Sequence, residues 1–509
     1  MPKRATPSSA SAELLSPWDD HNQRLAAHVH PADWSNPTPD GRYNLVVIGG
    51  GTAGLVTAIA AAGLGAKVAM VERHLLGGDC LNMGCVPSKA LIRSARAAAD
   101  ARRAERFGIS VAEPVVRFDA VMERMRALRA DIAHNDSAAR FRDAGVHVFL
   151  GDGRFLDRTT VAVGDTKLTF KKAVIATGAR AFVPKIPGLH EAGFLTNESI
   201  FSVTELPKRL AIIGAGAIGC ELAQTFARFG ARVTLVELAD RIMPAGDADA
   251  SRVVTEALRR DGVDVRTGTK LTEVRGGPTL HLLAGDRSEE LPTDRILVAI
   301  GRTPNVDGMG LEDAGVAFGP KGVVVDDFMR TTNKRIFAAG DVASRHQFTH
   351  AADFMARLVI RNALFAGRGR HSDLLVPHAT YTDPEVAHVG LTVAEAKERG
   401  VVLRTFTESF EHVDRAILED ETEGFARIHV AADSDRILGA TVVASHAGEM
   451  INEITVAMKA GMGLGELASV IHPYPTQAEA LRKLGDQYNR TRLTPFVARA
   501  MKAWLSWIR

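Results

Sequence analysis

The sequence predicts an α/β protein that ends in an α+β domain. Two stretches repeat one motif, in which an apolar strand, a glycine-rich turn and a helix lead to a second strand ending in glutamate. A later stretch alternates apolar and polar residues, as half-buried antiparallel strands do. The 509 residues are enough for more than one domain.

The first glycine motif begins with the apolar strand Tyr43–Ile48 and ends at Glu72. An alanine-rich helix lies between them and follows a turn that carries Gly49, Gly51 and Gly54. Glycines at this spacing permit a tight turn and let a pyrophosphate approach the helix N-terminus, while the glutamate can accept hydrogen bonds from ribose hydroxyls. The motif therefore predicts a dinucleotide site.

The second glycine motif has the strand Arg209–Ile213 and ends at Glu237. Its turn contains Gly214, Gly216 and Gly219. The distance from the last glycine to the glutamate is the same in both motifs and close to the roughly 20 residues of a dinucleotide fold. One glycine turn alone would be weak evidence, but two complete motifs predict two Rossmann-like dinucleotide-binding domains.

Two cysteines follow the first motif, where a helix is expected to begin. In a regular helix the rise alone would separate Cys80 and Cys85 by about 7.5 Å, more than the roughly 7 Å that a disulfide tolerates between Cα atoms. We therefore expect Cys80 in the loop or in a distorted first turn, and Cys85 inside the helix. A helix N-terminus favours thiolate and lowers the pKa of a cysteine. The pair is interpreted as redox-active rather than as two buried thiols that never meet.

The segment Gly77–Lys89 resembles the redox motif of the class I pyridine nucleotide–disulfide oxidoreductases, and the resemblance runs from about Leu45 to about Leu493. The family includes lipoamide dehydrogenase, glutathione reductase and mercuric reductase. The resemblance implies a homodimer with FAD in the first motif and a nicotinamide in the second. It also implies that Cys80 exchanges with substrate while Cys85 contacts the flavin.

Further site residues follow from the same resemblance. Lys89 on the redox helix would pair with Glu221 beside the flavin. The residues that it implies for FAD are Gly49, Gly51, Gly54, Glu72, Gly178, Asp341 at the ribityl chain and His350 near the pyrimidine edge. Those that it implies for the nicotinamide nucleotide are Gly214, Gly216, Gly219, Glu237 and Gly301. A carboxylate at Glu237 would repel a 2′-phosphate, which favours NADH, although Arg232 and Arg241 leave NADPH open.

The expected domain boundaries follow these motifs. They are an N-terminal extension at 1–40, partly pinned by its aromatic residues, two FAD-binding segments at 41–190 and 306–376, an NAD(P)-binding domain at 191–305, a dimerisation domain at 377–493 and an amphipathic tail at 494–509. The spacing of the tail indicates either a peripheral membrane contact or packing against the dimer, and the second interpretation is favoured.

One departure from the family bears on the substrate. Thiol-handling members carry a histidine base where this chain has Tyr474, while Glu479 keeps its place and His472 matches only an outer histidine. A tyrosine with a pKa near 10 is a poor base at neutral pH. Mercuric reductase also has tyrosine here, so the resemblance favours a metal ion or a small disulfide as acceptor. We expect Tyr474 and Glu479 to serve the partner chain's site and His472 to be a structural, hydrogen-bonded residue. The alternative is that a shift of the loop lets His472 replace the usual base.

The cysteine count complicates this substrate assignment. No cysteine follows Cys220, so the metal-collecting pair of mercuric reductases is missing, and Cys80 and Cys85 are the possible Hg(II) ligands. No structural metal is expected. The alternatives are a dihydrolipoyl dehydrogenase, a simple diaphorase or oxidase, and, from another class, a flavin-binding redox sensor with little turnover.

Composition narrows the remaining classes. The chain has 62 basic and 60 acidic residues, so its net charge gives no argument for nucleic acid as a partner. Three cysteines exclude a disulfide framework and suit a reducing compartment, which predicts a cytoplasmic protein. We find no run of about 18 apolar residues and no apolar core of a secretory signal, so we expect no transmembrane span.

Overall fold

The computed structural model describes residues 15–509, so the predicted N-terminal extension is described only from residue 15 onward. The chain divides into two compact units. Unit 1 consists of the described residues up to Ala215, with Thr225–Val236 and Thr269–Leu374. Unit 2 consists of Gly216–Gln224, Glu237–Gly268 and Leu375–Arg509.

The strands described in residues 15–509 are parallel in the two glycine motifs and antiparallel toward the C-terminus. They are β1 Tyr43–Ile48, β2 Val68–Glu72, β3 Val146–Leu150, β4 Gly153–Asp157, β5 Thr160–Val163, β6 Thr166–Ile175, β7 Ala179–Ala181, β8 Arg209–Ile213, β9 Arg232–Val236, β10 Asp264–Arg266, β11 Thr269–Arg275, β12 Thr279–Ala284, β13 Arg287–Pro292, β14 Arg295–Val298, β15 Arg302–Pro304, β16 Phe318–Gly319, β17 Gly322–Val323, β18 Ile336–Ala338, β19 His378–Thr380, β20 Glu385–Gly390, β21 Leu403–Ser409, β22 Phe425–Ala431 and β23 Ile437–Ala444.

The helices range from single turns to the long helix that starts at Cys85. They are α1 Asp20–Val29, α2 Thr52–Gly63, α3 Gly78–Asn82, α4 Cys85–Arg103, α5 Phe118–Ile132, α6 Ala138–Asp143, α7 Leu189–Ala192, α8 Ala217–Phe229, α9 Ala248–Arg260, α10 Thr349–Leu364, α11 Val393–Glu398, α12 Asp414–Leu418, α13 Ala447–Ala460, α14 Leu464–Leu467, α15 Glu479–Thr491 and α16 Pro495–Trp507. In residues 15–509 no helix is long and apolar enough to cross a membrane.

The largest sheet of unit 1 carries the first glycine motif. Its parallel strands run in the order β3, β2, β1, β6 and β18, and β5 and β4 extend it as antiparallel strands. The apolar β1 is almost wholly buried, as expected for a parallel strand covered on both faces. Aromatic side chains of Phe149, Phe155 and Phe170 lie in the core beside this sheet. Parallel strands that end at one edge place the glycine turn and Glu72 together.

A second parallel sheet in unit 1 carries the strands of the second glycine motif. β8 lies between β9 and β14 and pairs in parallel with both. The strands β11, β12 and β13 form an antiparallel sheet, and their apolar side chains share a core with those of β8 and β14. The predicted strand Arg209–Ile213 is confirmed.

Unit 2 contains an antiparallel sheet in the order β19, β20, β23, β22 and β21. Its apolar side chains share a core with those of α13, α14 and α15. The alternating stretches around Ile428 and Thr441 are thus antiparallel strands, as predicted. Helix α11 is fixed at its start by a capping box of Thr392 and Glu395.

The described part of the N-terminal extension is attached to unit 1. The Trp34 indole N–H donates to the Val148 carbonyl at 3.2 Å, and the Asn36 side chain donates to the Leu150 carbonyl at 3.0 Å. Both bonds reach the edge strand β3. The expectation that an aromatic residue pins the extension is confirmed at Trp34, whereas residues 1–14 lie outside the described part of the chain.

Candidate active site

The first glycine turn leaves no room for side chains. Gly49 has a φ of +108°, and a Cβ on it would collide with the Ala176 carbonyl oxygen. A Cβ on Gly54 would collide with the carbonyl oxygen of Gly49. Helix α2 begins after Gly51, which has no side chain to cap the first N–H groups. These N–H groups are therefore available to an anion, which fits the pyrophosphate of FAD.

Glu72 is held by backbone donors at the end of β2. One carboxylate oxygen accepts the Gly50 N–H at 2.6 Å, and the other accepts the His74 N–H at 2.6 Å. Each oxygen can accept a further hydrogen bond. The carboxylate is thus fixed in place with capacity left for ribose hydroxyls, and its assignment to FAD stays a prediction.

The cysteine pair lies at a break between two helices. Cys80 is inside the short helix α3 and Cys85 is the first residue of α4, so the expectation of Cys80 in a loop or first turn with Cys85 farther inside was wrong in detail. A Cβ on Gly84 would lie 2.9 Å from the Asp79 carbonyl oxygen. Glycine at this position allows the chain to fold back between the helices and bring the two thiols together.

The Cys80 thiol donates a hydrogen bond to Cys85, and this bond is the main reason that the pKa of Cys80 is raised. Burial and the charge of Cys85 raise it further, whereas the Thr349 hydroxyl lowers it. The expected lowering of a cysteine pKa was therefore wrong for Cys80, because the hydrogen bond to the neighbouring sulfur and burial raise it. The Thr349 hydroxyl also lies 3.3 Å from the Cys85 sulfur.

Arg302, which the sequence analysis did not single out, connects the Cys80 helix α3 to Asp341. The Arg302 guanidinium forms an ion pair with Asp79, the residue before Cys80, and donates to the Ala179 carbonyl at 2.6 Å. Its Nε lies 3.6 Å from the Asp341 carboxylate. The signal for Asp79 and Arg302 was their adjacency to the motif residues Cys80 and Gly301, but no local pattern predicts the pairing.

The Asp341 carboxyl group is buried beside several other charges. Burial raises the pKa of Asp341 to about 6; Arg302 opposes the rise, while Asp79 and Cys85 add to it. In residues 15–509 this carboxylate has the ion pair with Arg302 but no side-chain hydrogen bond. Its oxygens can therefore accept bonds from hydroxyl groups, which fits the predicted contact with the ribityl chain.

Two further predicted FAD residues lie in unit 1. Gly178 has a φ of +66°, and its carbonyl accepts the Asn305 N–H at 3.0 Å. His350 is exposed in the first turn of α10, where its ring stacks on Phe348 with the ring centres 5.5 Å apart. Both assignments to FAD stay predictions.

The predicted nicotinamide residues divide between the units. In unit 1, Gly214 has a φ of +101°, and a Cβ there would crowd the Ala299 carbonyl. Gly301 has a φ of +130°, and its carbonyl accepts the Phe182 N–H at 2.9 Å. Only glycine adopts these backbone angles readily, so both turns need it.

In unit 2, Gly216 precedes α8 and Gly219 lies within it. Glu237 begins the segment after β9, because the strand ends at Val236, one residue earlier than predicted. A Glu237 carboxylate oxygen accepts the Ala239 N–H at 2.9 Å. This bond fixes the side chain in the turn.

Lys89 and Glu221 lie in different units, so their pairing stays a prediction. Lys89 is half-buried in α4. Glu221 is 6% exposed, and its carboxylate accepts the Tyr381 N–H at 2.9 Å. Glu221 is therefore a buried carboxylate of α8 rather than one on its surface.

The C-terminal segment separates the roles of His472 and Tyr474. His472 is 6% exposed, with one ring nitrogen 2.9 Å from the Glu453 carboxylate and the other 3.0 Å from the Val470 carbonyl. Tyr474 is 72% exposed, and its hydroxyl donates to Asp414 at 2.8 Å. That bond raises the pKa of Tyr474. His472 is thus the hydrogen-bonded structural histidine that we expected.

Glu479 is the first residue of α15. One carboxylate oxygen accepts from Arg482 at 2.9 Å. The other is buried and has no hydrogen-bond partner in the described part of this single chain. A buried acceptor of this kind is costly unless it is satisfied, which fits a residue that contributes to a site completed elsewhere.

A buried arginine connects the N-terminal segment to the cysteine loop. Arg129 donates to the Asn82 carbonyl at 2.7 Å and to the Asn22 side-chain oxygen at 2.6 Å. Asn82 lies between the two cysteines, and its side chain donates to the carbonyls of Leu76 and Gly78. Sequence reasoning missed this support, because Asn22 and Arg129 lie far apart in the chain without a local motif.

Most of the chain matches one known protein family. Residues 43–356 match the family described as pyridine nucleotide-disulphide oxidoreductase, and residues 376–484 match the dimerisation domain of that family. The chain is 35% identical over 444 residues to a mercuric reductase from Bacillus cereus, covering 86% of this chain and 70% of that one. It is 34% identical over 461 residues to a dihydrolipoyl dehydrogenase from Bacillus subtilis, covering 86% of this chain and 96% of that protein.

A solved structure shows the same similarity in three dimensions. The Cu(II) complex of RclA, an HOCl-induced flavoprotein disulfide reductase from Escherichia coli, superposes with a TM-score of 0.77. Its sequence is 28% identical, and the match covers 86% of this chain and 98% of that one. The predicted family and the predicted α/β fold with a dimerisation domain are confirmed.

Proposed function

This chain belongs to the FAD-containing pyridine nucleotide–disulfide oxidoreductases, and on that premise we propose that it passes electrons from NADH through FAD and the Cys80–Cys85 pair to a thiophilic metal ion or a small disulfide. The observation that carries the proposal is the contact between the Cys80 thiol of α3 and the Cys85 thiol at the start of α4, with the Thr349 hydroxyl beside Cys85. Two thiols in contact can form and break a disulfide without a large movement of the backbone.

The residues of this chain have distinct tasks in that reaction. Bound FAD would supply a two-electron relay between the nicotinamide and the disulfide. The glycine turn at Gly49 and Gly54 and the carboxylate of Asp341 would hold it. The Cys80–Cys85 disulfide takes up two electrons and two protons and becomes two thiols. When Hg(II) accepts the two electrons and becomes Hg(0), the disulfide forms again and two protons are released.

The position of Tyr474 supports a metal ion over a thiol-forming substrate. A leaving thiol needs a proton donor that works near neutral pH. The hydrogen bond from Tyr474 to Asp414 raises the pKa of the phenol and makes it a weaker acid. His472 is engaged by Glu453 and Val470. Two soft thiolates bind a soft ion well and need no such group.

The preference for NADH rests on the charges around Glu237. Its carboxylate would repel a 2′-phosphate. Arg241, one of the two basic residues that left NADPH open, donates to the Pro244 and Gly246 carbonyls at 2.6 and 3.0 Å. We expect a larger kcat/KM for NADH than for NADPH, and Glu237→Gln should narrow the difference by improving use of NADPH.

The assembly and location follow the family. We propose a homodimer through residues 376–484, in which Tyr474 and Glu479 of one subunit serve the site of its partner. The buried, unsatisfied oxygen of Glu479 in the described single chain supports this arrangement. A cytoplasmic location stays an expectation from the small number of cysteines.

The proposal is tested by stopped-flow reduction of the purified protein with NADH. We expect a long-wavelength absorption band from a thiolate beside the flavin. Adding Hg(II) should then reoxidise the enzyme and remove the band rapidly. Cys80→Ser should keep the band and lose turnover with Hg(II), whereas Cys85→Ser should lose the band. Cys220→Ala is the matched control, because Cys220 is buried in unit 2. Reduction without the band, and unchanged turnover in Cys80→Ser, would favour a diaphorase.

A dihydrolipoyl dehydrogenase is the second candidate, favoured by the relative from Bacillus subtilis, 96% of which is covered by the match. This function requires lipoamide to reoxidise the reduced enzyme rapidly despite Tyr474. Tyr474→His should then increase the rate of reoxidation by lipoamide. A flavin-binding redox sensor requires slow oxidation by both acceptors. The same stopped-flow experiment therefore separates the three functions.

A further inference from the structure

Helix α16 is an exposed amphipathic helix at the C-terminus. Thr494 caps it through a hydrogen bond to the Val497 N–H, and Pro495 occupies its first turn, where a missing N–H costs nothing. Every residue from 491 to 509 is exposed in the described chain. The sequence therefore specifies a helix here, while packing within the chain does not explain its apolar side chains.

The apolar side chains of α16 cover most of its circumference. At about 100° per residue they occupy an arc of roughly 220°. The large ones are Phe496, Val497, Met501, Trp504, Leu505 and Trp507, and Ile508 follows as the C-cap. Phe496 is 74% exposed and Trp507 is 77% exposed. The indoles of Trp504 and Trp507 contact each other, with ring centres 5.2 Å apart.

The remaining face of α16 is basic. Arg499 and Lys502 fall on one narrow arc together with Ser506, and Arg509 follows the end of the helix. No acidic residue follows Asp486 in the sequence. The end of the chain thus carries a local positive charge that the nearly neutral total of +2 conceals.

We propose that α16 binds the surface of an anionic lipid bilayer and lies in the interface with its apolar arc toward the acyl chains. A helix with basic residues on its polar face and Trp, Phe and Leu on the other is suited to this position. Tryptophan favours the headgroup level, where the ring is apolar and its N–H stays hydrated. Basic residues beside it attract anionic headgroups.

The same observations favour lipid over a second copy of the chain. A helix that packs on protein needs an apolar stripe of only about 100°, and the arc of α16 is about twice as wide. The family's dimerisation domain matches residues 376–484 and so ends before α16. A uniformly basic face would also repel its own copy, whereas it complements an anionic surface.

The test is sedimentation of the full-length holoenzyme with vesicles. One set is phosphatidylcholine alone, and in the other about a third of the lipid is phosphatidylglycerol. We expect co-sedimentation with the anionic vesicles, weakened at about 0.5 M NaCl because salt screens the basic face. Brominated acyl chains should quench tryptophan fluorescence, and Trp504→Phe/Trp507→Phe should remove that quenching.

Two variants separate the charged and the apolar contributions. Arg499→Gln/Lys502→Gln should bind roughly 25-fold more weakly, since each basic residue near the surface contributes about a factor of five. Trp504→Ser/Trp507→Ser should abolish sedimentation. Val402→Ser is the matched control, because Val402 is exposed in unit 2 but lies outside α16; it should bind like the wild type.

Three results would overturn the proposal. The first is the absence of wild-type sedimentation with anionic vesicles, and the second is equal binding to neutral ones. The third is a change from dimer to monomer in Trp504→Ser/Trp507→Ser by light scattering, which would make the apolar arc an interface between copies. Because α16 has no buried residue, these variants should keep the wild-type melting temperature, so loss of binding cannot be attributed to unfolding.

Discussion

The buried carboxyl group of Asp341 should make the flavin-free protein less stable as the pH rises. Burial raises its pKa from 3.8 to about 6, whereas in the unfolded chain it titrates near its ordinary value. Between about pH 4 and pH 6 the folded protein therefore binds more protons than the unfolded chain. Stability that is fully present below about pH 4 is lost as the pH rises through 6.

The size of the effect follows from the pKa shift. A change of about two pKa units, at about 1.4 kcal/mol each, corresponds to a cost of about 3 kcal/mol above pH 6. Asp341→Asn keeps the shape of the side chain and removes the charge. The flavin-free variant should therefore be up to about 3 kcal/mol more stable than the wild type at pH 8 and no more stable at pH 4.

The assay is thermal unfolding of protein stripped of flavin, across pH 4 to 9. A gain of about 3 kcal/mol raises the melting temperature by several degrees in a chain of this size. Titration with FAD should show the opposite effect, because Asn offers one acceptor oxygen where the carboxylate offers two. Weaker FAD binding together with a more stable flavin-free protein would identify Asp341 as a residue kept for binding at a cost in stability.

The control is Asp152→Asn, which removes an exposed carboxylate of the same unit. It should leave the pH profile unchanged. The reasoning is refuted if flavin-free Asp341→Asn melts at or below the wild-type temperature at pH 8. It also fails if the difference between the two proteins is the same at pH 4 and pH 8, since a charge effect must follow the titration.

Three other outcomes are expected. Gly54→Ala should lose about 1–3 kcal/mol or more and bind little FAD by absorbance, because its Cβ meets the Gly49 carbonyl, whereas Gly63→Ala has free space and should keep its flavin. In the reduced protein, alkylation of Cys80 by iodoacetamide at pH 7–8 should be slower than that of a cysteine in a model peptide, because its pKa is raised; a rate equal to that of the peptide would contradict this. Burial lowers the pKa of His429 to about 4, so stability should fall as the pH drops from about 6.5 to 4, and His429→Gln should lose that decrease in urea unfolding.

Local sequence patterns predicted the elements that depend on local periodicity. The strand Tyr43–Ile48 was predicted to the residue, because an unbroken apolar run followed by glycines has few other structures. The helix that starts near Cys85 was also expected. The separate helix of Cys80 was not, because it depends on the close approach of Gly84 to the Asp79 backbone, which sequence spacing does not reveal.

Long-range ion pairs and hydrogen bonds were the part that the sequence could not predict. Arg302 and Asp79 are 223 positions apart, and Arg129 and Asn22 are 107 apart. No periodic pattern in the sequence links such pairs. Each of these side chains is compatible with its own helix or loop whether or not its partner is present. The family resemblance pointed to Asp341 but not to the arginine beside it.

The bond from Arg129 to the Asn82 carbonyl has a consequence for how the cysteine loop can move. Forming or breaking a disulfide changes the distance between the two sulfur atoms. The backbone near Cys80 or the backbone near Cys85 must therefore move. The Asn82 carbonyl accepts a hydrogen bond from the buried guanidinium of Arg129. The same guanidinium donates a second bond to Asn22 of the N-terminal segment, which fixes its position. We therefore expect the backbone around Cys80 to stay in place, and any movement that accompanies disulfide formation to occur in Met83, Gly84 and the first turn of α4.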